Sequence, residues 1–583
     1  MRRDSSSGTN CSGQGEGVPL KRLGIIMFRL ENVSVAVKDH SQPTELKYLL
    51  RSISFELPLG HFSVVVGPSG CGKSTLIKTL LGIRKVREGK ILLDGHDLLD
   101  NLSFFVSEIG YVPQFSVAHD GLSVLEALEY SASLRLPPNF SRQQREERIL
   151  KVLGLVDLMA HAHVRVENLS GGQKRRLSLA IELLRDPQVL IFDEVTSGLD
   201  AQSEENFMRL FAQLAHEQGK TVICVTHNLD HIDLCDSVII LNAGQLVYHG
   251  SPTSLLADFE IDVPGRLYGK LNDIGAGDLP RYDFSRETSD GKQMTFTHLP
   301  AQIAQFMTLT RRQWHLFFRN PTQVTLQMIL MLGFPFLVVV FALNGLPEVQ
   351  SMSLAPTQNF VEEVIQRSEF MTKAIGTATL ASGLIMFQVV LLTLMGSNNG
   401  AREIVRERDI FEKERLGGLS SLAYLMSKVF FVFILSALQA LAMHGLVKYF
   451  CQFPGPFIDQ YMILLLSTFA MSLTCLLFSA LFRTTEQASL VSIYLVGLQL
   501  PLSGAVLALP EWLLLFARPL INAYWAWSGY IRTMMDSRVY DVIVENTHTA
   551  LAQPLTAMAV LGGHCFICLV ASYFFVKQNK SLL

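Results

Sequence analysis

Between residues 322 and 576 the chain carries six long apolar stretches: 322–343, 374–396, 428–449, 460–482, 487–508 and 553–576. A helix that crosses a bilayer needs about 20 apolar residues, because lipid offers its backbone no hydrogen bonds. Six such stretches in one run exceed what buried helices of a soluble domain require, so six spans are expected. Residues 28–300 instead read as charged and globular, and two solvents therefore divide the 583 residues. The hydrophobic share of 49% and the mean hydropathy of +0.29 are high for a soluble protein, and the excess lies in the second half. Lys and Arg (49) nearly cancel Asp and Glu (52), so no global field points to nucleic acid.

Loop charge sets the orientation. Arg311, Arg312 and Arg319, then Arg402, Arg406, Arg408, Lys413 and Arg415, then Arg483, then Lys577 and Lys580 all fall on one side. The other side holds fewer, for example Arg367 and Lys373. Both termini are thus expected in the cytoplasm, on an integral protein of the cell (inner) membrane. Residues 1–26 are rich in Gly and Ser and lack an apolar signal core, which suits a disordered leader. Eight cysteines show no ligand spacing.

In the globular half, SVVVGPSGCGKSTLIKTLLG runs from an apolar strand through a glycine loop into a helix. Gly67, Gly70 and Gly72 let backbone N–H groups turn inward around phosphate oxygens, in a loop completed by Pro68, Ser69, Cys71 and Thr75. Lys73 brings a point charge to the β- and γ-phosphates, and Ser74 is a ligand for Mg²⁺. A glycine turn before a core helix is the plain alternative, and the full GxxxxGKS match outweighs it. Alkylation of Cys71 is expected to block nucleotide unless ATP protects the thiol. Downstream, VLIFDE delivers Asp193 and Glu194 to the end of a buried strand. Asp193 would serve the metal and Glu194 would polarise the attacking water. TVICVTHNLD places His227 at another strand end as a γ-phosphate sensor, and IGYVPQ supplies Gln114, which reaches metal and water.

LSGGQ is a second glycine motif, Leu169 to Gln173, in which Ser170, Gly171 and Gly172 open a helix whose N-terminus favours an anion. Lys73 and its loop already fill the phosphates of one ATP. The second motif is therefore expected to serve a nucleotide held by another copy. In family order and spacing, GPSGCGKST, YVPQ, LSGGQ, VLIFDE, SGLD and TH resemble the ABC ATPases. The resemblance covers about residues 28–255. It implies a RecA-like α/β core with a helical subdomain, a head-to-tail ATP sandwich, and a loop Ser197, Gly198, Leu199 and Asp200 at the shared site. Two departures stand out. Val35 and Val37 replace the aromatic that often stacks on adenine, and Val195 replaces the proline after the catalytic Glu.

An ATPase (27–260) ahead of an all-α six-span domain (321–583) resembles the G subfamily of ABC transporters and its bacterial half-transporter relatives. The segments DEVTSGLDAQS and REIVRERDIFEKER with GLSSLAYLMSK carry that likeness. It implies a homodimer, or a pair with a related half-transporter, whose substrate path is lined by spans 2 and 5. Gln388 and Gln499 fall on those spans, whereas Gln439, His444 and His564 lie elsewhere. Residues 261–300 read as a linker and 301–320 as an in-plane interfacial helix. A coupling helix is expected at about 400–420, and an outer re-entrant loop with Trp512, Trp525 and Trp527 at 509–552. The expected activity is ATP-driven export of a hydrophobic or amphipathic, lipid-like or drug-like substrate, with membrane lipid as a partner. Export of a polar glycan or polymer, and a membrane ATPase that signals or remodels lipid, are the alternatives.

Overall fold

The computed structural model describes residues 27–38, 46–93, 95–98, 108–114, 118–262, 266–271, 300–343, 360–504, 510–546 and 549–578. The expected leader and most of the expected linker lie outside them. The chain divides into two compact units. The first comprises Met1–Leu102, Phe211–Ile223 and His227–Thr295; the second comprises Ser103–Leu210, Cys224–Thr226 and Phe296–Leu583. The expected ATPase segment, 27–260, contributes to both.

In the first unit, Met27–Lys38 pairs antiparallel with Leu46–Pro58 on one side and Glu88–Leu93 on the other. The edge strand His96–Asp97 completes this four-stranded sheet. Phe62–Val66 lies parallel to Ser237–Asn242, which turns back into Gln245–Gly250. All five residues of Phe62–Val66 are buried, and its three consecutive valines suit a parallel strand covered on both faces. A parallel strand points its carboxyl end at whatever follows, and here that is the phosphate loop.

The second unit joins helices of the ATPase segment to the apolar half. Val124–Arg135, Arg142–Leu155 and Gly171–Leu183 each begin with a reciprocal capping box, built by Ser123 with Glu126, Ser141 with Gln144 and Ser170 with Gln173. Each box satisfies two backbone donors that the first turn leaves open. Ile109–Val112 pairs parallel with Val189–Asp193.

Among the described residues, five helices are long and apolar enough to cross a membrane. They account for the first four expected spans and the last, beginning with Pro321–Ala342 and ending with Pro554–Gln578. The remaining stretch, 487–508, appears as the 18-residue helix Thr485–Leu502 and is not one of the five. Pro501 stands in its last turn, and Gly504 follows in the left-handed region at φ 74°. Small residues let the membrane helices approach closely. A Cβ on Gly396 or Gly400 of the helix Phe360–Gly400 would lie 2.6 Å from the Thr468 oxygen or 2.1 Å from the Ser472 oxygen of Phe457–Leu481. In the expected outer loop, Glu511–Ala517, Asn522–Arg532 and Arg538–Asn546 are helical. Only Trp512 of its three tryptophans is exposed. Trp527 is fully buried, and its Nε1 donates to Ser382 Oγ at 3.2 Å.

Candidate functional site

The phosphate loop lies in the first unit. Gly67, Gly70 and Gly72 all have positive φ (154°, 78° and 112°), which only glycine adopts without strain. A Cβ on Gly67 would also stand 2.2 Å from the Leu241 oxygen and 2.6 Å from Cys71 Sγ. Lys73 is buried, and its ammonium donates to the Gly67 and Pro68 carbonyls at 2.7 and 3.1 Å. Ser69, Gly70 and Ser74 are exposed, Pro68 and Thr75 partly so. Cys71 is buried, and burial raises its thiol pKa above the usual value. It is therefore a packing residue beneath the loop, not the open thiol that sequence position alone suggests. Val35 is likewise buried in the core and is not presented to a base. His227, also in this unit, is exposed.

The acids lie in the second unit. Gln114 Nε2 donates to Glu194 Oε2 at 3.0 Å, which brings together two of the expected catalytic residues. Tyr111, which no motif in the sequence singles out, donates its hydroxyl to Asp193 Oδ2 at 3.3 Å. Burial and the Asp193 carboxylate both push the Tyr111 pKa upward, so it stays a neutral donor. Glu194 adopts φ 51°, a left-handed conformation that costs a non-glycine residue about 1 kcal/mol or more and recurs at functional sites. Its amide donates to Val225 O at 3.1 Å, which holds the turn.

The LSGGQ segment caps its own helix. Ser170 N donates to Gln173 Oε1 at 2.9 Å, and Gln173 N donates to Ser170 Oγ at 3.2 Å. Leu169 is buried as an anchor, whereas Ser170 and Gly171 are exposed at the helix start. Arg175, one turn on, donates to Ser197 O at 2.6 Å, so the SGLD loop is tied to the same helix. Asp200 closes that loop by accepting from Ser203 N and Ser203 Oγ at 2.9 and 2.7 Å.

Within the stretch 400–420, where a coupling helix is expected, Arg408–Leu416 is helical. Lys413 faces Glu182 of the LSGGQ helix at 3.8 Å, and Glu182 also accepts from Arg135 at 2.7 Å. Both side chains of the Lys413–Glu182 pair are over nine-tenths buried. Burial draws the Lys413 pKa down to about 8, with Glu182 opposing it. On the same side, Arg312 of Gln302–Arg319 pairs with Glu414, and Arg319 pairs with Glu126. The expected interfacial helix thus buries Arg312 and leaves Ile303, Met307 and Phe318 exposed along one face.

The expected path residues are both buried. Gln499 Oε1 accepts from Ala523 N at 3.0 Å, which ties its helix to Asn522–Arg532. Gln388 has neither amide atom hydrogen-bonded among the described residues. Gln439 closes a buried amide triangle with Gln327 and Asn399. An open apolar cavity of about 590 Å³ lies elsewhere on the first two spans, lined by Phe341, Thr379, Leu380, Leu384 and Phe387.

The ABC transporter family matches residues 50–197, and the ABC-2 type transporter family matches residues 304–535. Over 237 residues the chain is 32% identical to the energy-coupling factor transporter ATP-binding protein EcfA1 of Mycoplasmopsis synoviae, covering 40% of this chain and 86% of that protein. The chain belongs to the ABC transporters. It is 30% identical over 487 residues to the ABC transporter ATP-binding/permease protein Rv1747 of Mycobacterium tuberculosis, covering 79% of this chain and 53% of that one. It is 31% identical over 293 residues to ABC transporter G family member 4 of Arabidopsis thaliana, covering 47% of this chain and 50% of that one. The chain thus spans about half the length of these two relatives. Its architecture is that of an ABC half-transporter, with the P-loop ATPase ahead of the helical membrane domain.

Proposed function

We propose that this ABC transporter chain hydrolyses ATP to drive export of a hydrophobic or amphipathic substrate, as half of a homodimer with two composite sites. The Gln114–Glu194 contact is the observation that carries the reading. A carboxylate held by a neutral amide at a strand end can orient a water and take its proton without being neutralised by a cation. Gln114 commits its nitrogen to Glu194, so its oxygen is the atom left for a metal. Gln114 and Asp193 offer oxygen donors, and the GxxxxGKS motif makes the Ser74 hydroxyl a further candidate ligand; donors that are all oxygen suit Mg²⁺. That ion, when bound with ATP, supplies charge neutralisation at the phosphates. Lys73 binds the phosphates, the Gly67–Gly72 backbone orients them, and exposed His227 senses the γ-phosphate. Ser170, Gly171 and Gly172 meet the ATP of the second copy.

Thr485–Leu502 is assigned as the fifth of six spans, with both chain ends cytoplasmic. Movement passes from the LSGGQ helix through Glu182 and Lys413 to Arg408–Leu416 and so to the spans. The cavity beside Phe341 and Phe387 is where an apolar cargo is proposed to enter, in support of the export reading. ATP turnover by the purified chain in liposomes tests the proposal, with wild type beside Glu194→Gln and native lipid extract present or absent. Lipid-stimulated turnover that Glu194→Gln abolishes, by about 100-fold or more, is expected. Turnover retained in that variant would remove Glu194 from its role.

A further inference from the structure

Just past the expected ATPase segment, the short helix Leu267–Leu271 returns to the phosphate loop. Leu267 is completely buried and fixes the register of this turn. The next residue, half-buried Tyr268, donates its hydroxyl to the main-chain oxygen of His227 at 3.1 Å. The same hydroxyl stands against the Gly67 backbone and near Cys71; burial and the Cys71 thiol raise its pKa, and the Gly67 contact opposes them. One neutral phenol therefore joins the first glycine of the phosphate loop to the backbone of the expected γ-phosphate sensor. All four residues lie in the first unit.

We propose that Tyr268 is a positioning residue for ATP hydrolysis, holding the His227 backbone at a fixed place relative to the phosphate loop. The inference rests on the ATP-hydrolysis reading above. The His227 side chain is carried on its own peptide, so where that peptide sits decides where the imidazole can reach. A hydrogen bond to that peptide's oxygen removes a rotation that the transition state would otherwise have to freeze. The phosphate loop needs no such help, because its conformation follows from three glycines with positive φ and the buried Lys73. Loss of the hydroxyl should thus act on turnover and leave nucleotide affinity alone.

The test is Tyr268→Phe in the full chain, reconstituted in liposomes beside wild type and Glu194→Gln. ATP turnover, KM for MgATP, the Kd for the fluorescent analogue TNP-ATP and the melting temperature are measured for each. The expected result is a fall in kcat of about five- to tenfold, the worth of one hydrogen bond, with KM, Kd and melting temperature unchanged. An unchanged kcat overturns the proposal, and so does a fall matched by weaker TNP-ATP binding or by a lower melting temperature. If Glu194→Gln abolishes turnover and Tyr268→Phe leaves it intact, only the positioning role fails. If wild type turns over no ATP, or Glu194→Gln turns over as fast, the hydrolysis reading fails and takes this role with it.

Discussion

Cys71 shows how far position in a motif can mislead at the scale of one residue. The phosphate loop is legible because its glycine spacing is a backbone requirement, and the positive φ angles at 67, 70 and 72 are that requirement realised. Which way the side chain between them turns is not a backbone property. Cys71 turns inward, and its Sγ would stand only 2.6 Å from a Cβ at Gly67. With its pKa raised by burial, the thiol carries less thiolate at neutral pH than a free cysteine, and thiolate is the nucleophile. Alkylation by N-ethylmaleimide at pH 7 is therefore expected at least about tenfold more slowly than for glutathione, and faster as pH rises. Mass spectrometry of the loop peptide over time checks this; rapid labelling would place the thiol in the open. Glu194 is a second such case. VLIFDE announces a carboxylate at a strand end, but its φ of 51° and its amide partner Gln114 depend on a neighbouring strand.

At the scale of elements, the sequence reveals helices better than it reveals what holds them together. The three capping boxes are written as Ser followed three residues later by Glu or Gln, so the helix starts are local facts. The helix Arg408–Leu416 is also legible, as a charged amphipathic run between two apolar stretches. Its use of Lys413 against Glu182 is not, because that pairing joins segments far apart in the chain. Nor is the end of Thr485–Leu502, where apolarity continues and Pro501 and Gly504 decide. The Lys413–Glu182 pair also has an unequal balance. One Glu182 oxygen accepts from Arg135 at 2.7 Å, whereas Lys413 stands off at 3.8 Å with its pKa drawn down to about 8. Desolvation thus outweighs attraction at Lys413. Lys413→Met is expected to leave the melting temperature unchanged or raise it, by at most about 3 kcal/mol equivalent. Glu182→Met strands two buried cations and is expected to cost about 3–5 kcal/mol. The pH dependence carries the sign. A lysine whose folded pKa is depressed costs stability in full below pH 8, and the cost fades as pH rises from 8 towards the ordinary lysine value of 10.5. The advantage of Lys413→Met should thus shrink between pH 7 and pH 9, as thermal unfolding in nanodiscs will report. An advantage that grows with pH would mean the charge is stabilising.

For the whole molecule, the question is whose phosphate the LSGGQ helix serves. Each chain has one phosphate loop and one LSGGQ motif, and Ser170 and Gly171 stand exposed at a helix start. An exposed helix N-terminus is an anion site in waiting, and a two-fold partner is the simplest source of the anion. If the site is shared, defects in the two halves are separable between copies. Lys73→Ala removes the phosphate-binding charge, and Ser170→Arg blocks the helix start, so each variant alone is expected to be inactive. Co-expressed in equal amounts, half of the dimers are mixed. In each mixed dimer both lesions fall in one site and the other site is intact. About a quarter of the wild-type turnover should then return if two-fold sites act independently, and none if one lesion silences both sites. A shared pair that must fire together would still bind TNP-ATP at its intact Lys73 loop, which separates it from misfolding. Recovery by mixing is impossible for sites confined to one chain, since each copy would keep its own defect. Turnover of either single variant at the wild-type rate would break the assignment of that residue before any question of sharing arose.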